Sequence, residues 1–158
     1  NQSVGQLEGY GAEIETYFSI VKGLSLFANP SYTKFYYKDD LVLRAGTANK
    51  VVELKGKQSP AVPNFMLKAG LLYDYKGLYA NAFLNHTGRR YGDATNKERV
   101  ADFTLFDFSL GYKYNFGKKS SIALGAEVKN IFDKKHICIV QEAQETPTRI
   151  HSKTIKIF

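Results

Sequence analysis

Apolar and polar residues alternate along most of this chain with a period of two, which is how a strand with two unlike faces reads in sequence. The clearest case puts Phe106, Phe108, Leu110, Tyr112 and Tyr114 on one face, and Asp107, Ser109, Gly111, Lys113 and Asn115 on the other. After a short turn, Ile122, Leu124, Ala126 and Val128 alternate with Ala123, Gly125, Glu127 and Lys129. Upstream, Phe65, Leu67, Ala69, Leu71, Tyr73 and Tyr75 share a face opposite Lys68, Gly70 and Asp74. Lys76-Gly77 turns the chain, and Leu78, Ala80, Ala82 and Leu84 then alternate with Tyr79, Asn81, Phe83 and Asn85. A first hairpin sets Ala12, Ile14, Phe18 and Ile20 against Glu13 and Glu15, turns at Lys22-Gly23 and returns through Leu24, Leu26 and Ala28. Pro30, which has no N–H to give a ladder, predicts a local irregularity in that return strand.

The connections are sorted by length. Lys22-Gly23, Lys76-Gly77 and residues 117–120 are short turns, whereas residues 38–61, 87–100 and the stretch after Asp133 are long and polar. Short turns at one end and long loops at the other is the asymmetry of a barrel that crosses the outer membrane, with the long loops outside the cell. The aromatics sort in the same way. Tyr17, Phe18, Tyr73, Tyr75, Tyr112, Tyr114 and Phe116 lie beside the short turns; Tyr32, Phe35, Tyr36, Tyr37, Phe65, Phe103 and Phe106 lie beside the long loops. Two interfacial belts require that placement, although Phe27, Tyr79 and Phe83 fall outside it. The fold expected is all-β: an antiparallel transmembrane β-barrel segment of about seven strands.

Composition removes other classes. The 158 residues are 44% hydrophobic, yet no run approaches the roughly 18 apolar residues of a spanning helix. The net charge of +7 comes from scattered Lys and Arg, not from the basic stripe of a nucleic-acid binder. Cys138, the single cysteine, rules out an internal disulfide. His86, His136 and His151 have no short metal-ligand spacing. Residues 117–120, Gly-Lys-Lys-Ser, lack the upstream glycine of a phosphate loop and sit in a hairpin. No serine stands in a nucleophile elbow, so nothing argues for catalysis or a cofactor. The long loops carry the candidate ligand contacts: Arg44, Lys50, Arg89, Arg90, Tyr91 and, where a strand meets a loop, His86. Such cations suit an anionic ligand or the phosphates of a surface glycolipid.

Five strings, in order, resemble the C-terminal barrel of TonB-dependent receptors. These are residues 9–15 (GYGAEIE), 23–32 (GLSLFANPSY), 60–64 (PAVPN), 107–112 (DFSLGY) and 127–135 (EVKNIFDKK), the last being the most specific. The resemblance implies that residues 1–158 are the last third of a larger, 22-stranded barrel, with the plug domain and N-terminal strands absent. It further implies outer-membrane uptake of a scarce nutrient such as a siderophore, haem, cobalamin or a glycan. The implied partners are that ligand, outer-membrane lipid and lipopolysaccharide, the rest of the receptor, and the inner-membrane TonB complex reached through the missing N-terminal part.

Two readings compete. One is a small, complete eight-stranded outer-membrane barrel with a structural or adhesion role, closed by one more strand within residues 137–148. The other is a soluble ligand-binding barrel, which requires the Phe/Leu/Tyr faces to point inward. The tail departs from the family pattern: Phe158 supplies a terminal aromatic, but Ile155 and Ile157 are out of phase with it. That leaves open whether residues 137–158 form a closing strand.

Overall fold

The computed structural model describes residues 6–45, 48–116, 120–137, 149–150 and 154–157. Within these the chain runs through β1 (Leu7–Glu13), β2 (Thr16–Val21), β3 (Leu24–Tyr37), β4 (Leu41–Ala45), β5 (Ala48–Val52), β6 (Phe65–Tyr75) and β7 (Leu78–Thr87). It continues through β8 (Arg90–Tyr91), β9 (Arg99–Val100), β10 (Phe103–Phe116), β11 (Ser120–Lys129), β12 (His136–Ile137), β13 (Arg149–Ile150) and β14 (Thr154–Ile157). One antiparallel sheet of eight strands forms the wall, in the order β1-β3-β6-β7-β10-β11-β14, with β2 also against β3. β1 and β2 pair with β3 in one continuous register and are two halves of a single broken strand. The wall therefore has the seven strands expected.

The break lies opposite Pro30. Its carbonyl still accepts the Ile14 N–H at 3.0 Å, but its nitrogen has no hydrogen to return. Side chains fill in: Asn29 Oδ1 accepts from the Thr16 N–H, and the Thr16 hydroxyl bonds the backbone of Ala28. A second irregularity falls between Ser19 and Val21.

Each two-residue turn also serves its neighbour. Gly23 and Gly77 have φ of +83° and +86°, a region costly for a side-chain-bearing residue. The Gly23 carbonyl accepts the Asp74 N–H, and the Gly77 carbonyl accepts the Lys113 N–H, both at 2.7 Å. Each hairpin thus hands an acceptor to a strand of the next.

Register assigns every wall residue to a face. One row runs Phe18-Leu26-Leu71-Ala82-Phe108-Val128-Ile155, and the adjacent one Tyr17-Phe27-Gly70-Phe83-Asp107. Along β10, Phe106, Phe108 and Leu110 are exposed, while the smaller Asp107 and Ser109 are half-buried and Gly111 is buried. Side chains splay apart on a convex face and crowd on a concave one, so the apolar face is the outer one. Among the described residues the buried apolar core is only Leu54 and Val100, both in the loops, whereas Leu71 and Leu124 are 44% and 66% exposed. A soluble barrel with a dry Phe/Leu interior is incompatible with that distribution.

The three aromatic exceptions have one cause. Phe27, Phe83 and Tyr79 face inward and lie over glycines. Phe27 and Phe83 flank Gly70, where a Cβ would fall 2.5 Å and 2.8 Å from their rings, and the two rings stand 6.2 Å apart. Tyr79 covers Gly111. They fill the space a missing side chain leaves and belong to neither belt. The register also moves Tyr17, Phe35, Tyr37 and Phe103 to the inner face. The outward belts are Phe18, Tyr73, Tyr75, Tyr112, Tyr114 and Phe116 at the short-turn end, and Tyr32, Tyr36, Phe65 and Phe106 at the other.

The string 127–135 forms a compact turn that ends β11. Asn130, buried and at φ +50°, accepts the Lys134 N–H at 2.9 Å and donates to the Lys134 carbonyl at 3.1 Å. Its own N–H bonds Asp107 at 2.8 Å. The turn drives Phe132 outward, edge-on against Phe106 at 5.3 Å. Asn130→Ala removes two buried hydrogen bonds and strains the backbone, and is expected to cost about 2–3 kcal/mol. Asn130→Gly, which relieves only the strain, should fall between; thermal unfolding followed on gels orders the three proteins.

The long connections are not plain loops. Each carries its own two-stranded hairpin, β4–β5, β8–β9 and β12–β13. The tail does reach the wall: Ile155 and Ile157 pair with Val128 and Ala126 and stand on the outer face, with Thr154 and Lys156 inward. Phe158 and residues 138–148 lie outside the described residues, and with them all of the range 137–148 expected to hold an eighth strand except Ile137, which belongs to β12. β1 and β14 do not pair with each other among the described residues.

Candidate functional site

The long-loop end of the wall is stitched into one body by side chains. Asn96, at φ +61°, acts as a surrogate strand: its Oδ1 accepts the Gln58 N–H at 2.7 Å and its Nδ2 donates to the Gln58 carbonyl at 2.8 Å. The Ala61 N–H donates to the Tyr91 carbonyl at 2.8 Å. These bonds join the first long loop to the second. Arg90 joins the second to the third: it is buried, donates to the Ile137 carbonyl, and sets its guanidinium 5.8 Å from the centre of the Phe103 ring. The His136 ring lies tilted against the same ring, with centroids 4.4 Å apart. Within the first loop, Asp40 accepts the N–H groups of Leu54 and Lys55 at 2.9 and 2.8 Å.

Between these loops and the ends of β6 and β7 opens a cleft of about 490 Å³. It gathers four of the six residues singled out by sequence, His86, Arg89, Arg90 and Tyr91, and adds Arg99, Asp102, Gln58 and Asn64. His86 Nδ1 lies 2.9 Å from Thr104 Oγ1, and its ring sits 5.8 Å from that of Phe65. Arg89 and Arg99 are exposed. Lys50 lies apart, exposed on β5. Arg44 is on β4, and its side chain is outside what the structure describes. Arg99 falls near the end of the long connection 87–100, and only the β8–β9 pairing, Tyr91 opposite Arg99, shows that it joins Arg89 and Arg90. Gln58 and Asn64 enter through the Asn96 clasp and the bond from Asn64 Nδ2 to Gln58 Oε1, which no local signal announces.

Asp93 organises the β8–β9 loop. Its carboxylate accepts from the Thr95 N–H at 3.0 Å and the Glu98 N–H at 2.7 Å, and from the Thr95 hydroxyl. Partial burial acts to raise its pKa, but these bonds outweigh it and hold the group below its usual 3.8. A depressed carboxyl pKa contributes stability above the unfolded value, and loses it as pH falls through the folded one. Amide-exchange protection of Thr95 and Glu98 is therefore expected to persist from neutral pH to about 4 and to fade below it. Asp93→Ala should lack that protection throughout; a wild-type profile flat down to strong acid would refute the assignment.

Residues 1–131 match the family profile described as TonB dependent receptor-like, beta-barrel. The chain belongs to this family. As a TonB-dependent receptor barrel it resides in the outer membrane of a Gram-negative bacterium, which accounts for its outward Leu and Phe and its two aromatic belts. The ferrioxamine B receptor of Salmonella typhimurium strain SL1344 is 24% identical over 136 residues, covering 86% of this chain and 19% of that protein. The ferrichrome outer membrane transporter/phage receptor of Escherichia coli K12 is 24% identical over 140 residues, covering 84% of this chain and 17% of that protein. Among solved structures, the siderophore receptor PiuA from Acinetobacter baumannii superposes with a TM-score of 0.70 at 17% identity, over 98% of this chain and 20% of that one. The receptor barrel described here thus spans about a fifth of the length of the relatives it matches.

Proposed function

We propose that this chain is part of a TonB-dependent receptor that imports a ferric siderophore across the outer membrane. The observation that carries the reading is the wall itself: seven strands, apolar on the outer face and with the charged and polar residues turned inward, its two edge strands unpaired with each other among the described residues, in a family match over residues 1–131. An open wall needs further strands before its edge N–H and C=O groups are satisfied in lipid, which favours a large barrel over a small closed one. Siderophore is preferred to haem, cobalamin or glycan because the relatives above are named for ferrioxamine B, ferrichrome and siderophore. The inward residues would line the path around a plug, and the β4–β5 hairpin with Arg44 and Lys50 would meet the ligand at the mouth. TonB would supply the energy; the reading assigns no catalytic step.

Deletion of the gene tests this. Under iron starvation, growth on one class of ferric siderophore should be lost, restored by the gene, and equally lost without the inner-membrane energising complex. Undiminished growth on every siderophore would overturn the assignment, and a lost response to haem, cobalamin or glycan would replace it.

A further inference from the structure

We propose that the lumen face of β2, β3, β6 and β7 carries a transit site for the imported ferric complex, near the periplasmic end of the wall and built around Tyr17, Tyr79, Asn81 and Asp74. The inference rests on the siderophore reading above and deepens it by stating what a passing chelate must offer: an apolar face, hydrogen-bond donors and no net negative charge.

Register places the site. Tyr17, Ser25, Leu72, Asp74, Tyr79 and Asn81 all fall in inward rows, and together they line one cavity of about 470 Å³. That volume is in the usual span of small-molecule sites. Gly23, in the turn that joins β2 to β3, also belongs to the lining. The cavity therefore lies at the short-turn end, which faces the periplasm, and a chelate captured among the clasped loops would meet it last.

The lining is part ring and part acceptor. Tyr79 lies along the sheet because Gly111 beneath it has no side chain; a Cβ there would run into the phenol. The far face of the ring is left to the lumen. Tyr17 is 62% exposed and shares its row with Phe27 and Phe83, so ring surface continues up the wall from the cavity. Asn81 Nδ2 donates to Ser109 Oγ at 3.0 Å, which fixes the amide and leaves its oxygen to accept. Asp74 is exposed and is the single charged residue of the lining; among the described residues it is in no salt bridge. Ring faces attract cations and polarised hydrogens, and a carboxylate and an amide oxygen only accept. The set favours a ligand that donates, and an anionic complex would meet an unpaired like charge.

A plug would face this surface as well, but the ions suited to holding one are elsewhere. Glu127 and Lys129 pair on β11 at 3.5 Å, and Lys156 stands opposite Glu127 on β14. Paired ions fix a domain in one pose. Rings and a single amide grip weakly and from many angles, as a site that must release its occupant requires.

The test uses cells making the full-length receptor, its folding verified by heat-modifiable gel migration, and two radioiron probes: a neutral ferric trihydroxamate and a trianionic ferric tricatecholate. Surface binding is read in de-energised cells and uptake in energised ones. Wild type is expected to import the neutral probe. Asp74→Lys should leave its surface binding unchanged and slow its uptake about ten-fold, and Tyr17→Ala about three-fold. Should Asp74→Lys misfold, the isosteric Asp74→Asn is expected to slow uptake about three-fold. All variants should still exclude vancomycin, which is too large to pass a plugged barrel. Unchanged uptake in the folded variants, equal losses of binding and uptake, or preferred import of the trianionic probe would each overturn the site while leaving the receptor a siderophore importer. Vancomycin entry would make the surface a seat for the plug and overturn it too. A wild type that imports neither probe would strike the siderophore reading itself, and the site with it.

Discussion

Arginine in place of Leu71 is expected to destabilise the folded barrel in a bilayer by about 2–4 kcal/mol, whereas lysine at its neighbour Leu72 should cost no more than about 1 kcal/mol. Both positions lie near the middle of β6. Leu71 belongs to the outward row with Leu26, Ala82 and Phe108, so a guanidinium there must enter hydrocarbon or thin the bilayer to reach water. Leu72 belongs to the inward row with Ser25 and Asn81, where Tyr79 and Asp74 line the same polar hollow and an ammonium finds water and oxygen acceptors. Urea titration of the protein folded into lipid vesicles measures both. Equal costs, or the reverse order, would contradict the assignment of faces on which the membrane reading stands.

Gly77→Ala is expected to be the most damaging single methyl that can be added to a turn, at about 3 kcal/mol. Two effects combine. At φ +86° an alanine is strained whatever surrounds it, and its Cβ would run into the Lys113 carbonyl oxygen, a backbone atom that cannot swing aside. Moving that carbonyl disturbs the bond from the Lys113 N–H to Gly77 O. Gly56, at φ +76° with open space where a Cβ would go, is the control: alanine there meets the first effect without the second and should cost about 1–2 kcal/mol. The same urea titration separates them, and equal penalties would mean that the close approach contributes nothing.

The strands and their faces were legible because alternation is a local signal, and each wall strand is long enough to state it several times. The turns at Lys22-Gly23 and Lys76-Gly77 were legible for the same reason. What escaped depends on pairing. Phe27, Phe83 and Tyr79 read as misplaced until register sets them across from Gly70 and Gly111, and Tyr17 and Phe103 read as belt residues until register turns them inward. The tail looked out of phase because Phe158 served as its reference, whereas β11 is the partner that places Ile155 and Ile157 outside. The cleft divided likewise. His86, Arg89, Arg90 and Tyr91 are near neighbours in sequence and came as a group. Arg99, Gln58 and Asn64 are delivered by contacts across loops, and Lys50 was carried off by a hairpin that polar composition did not foretell.

Because Asn96 grips Gln58, and Arg90 reaches Ile137, the extracellular rim is not modular. Grafting one foreign loop onto this scaffold to change what it captures would leave a half-clasp with exposed amide groups. Adjacent loops must be exchanged as a set, and in evolution they should be inherited as one.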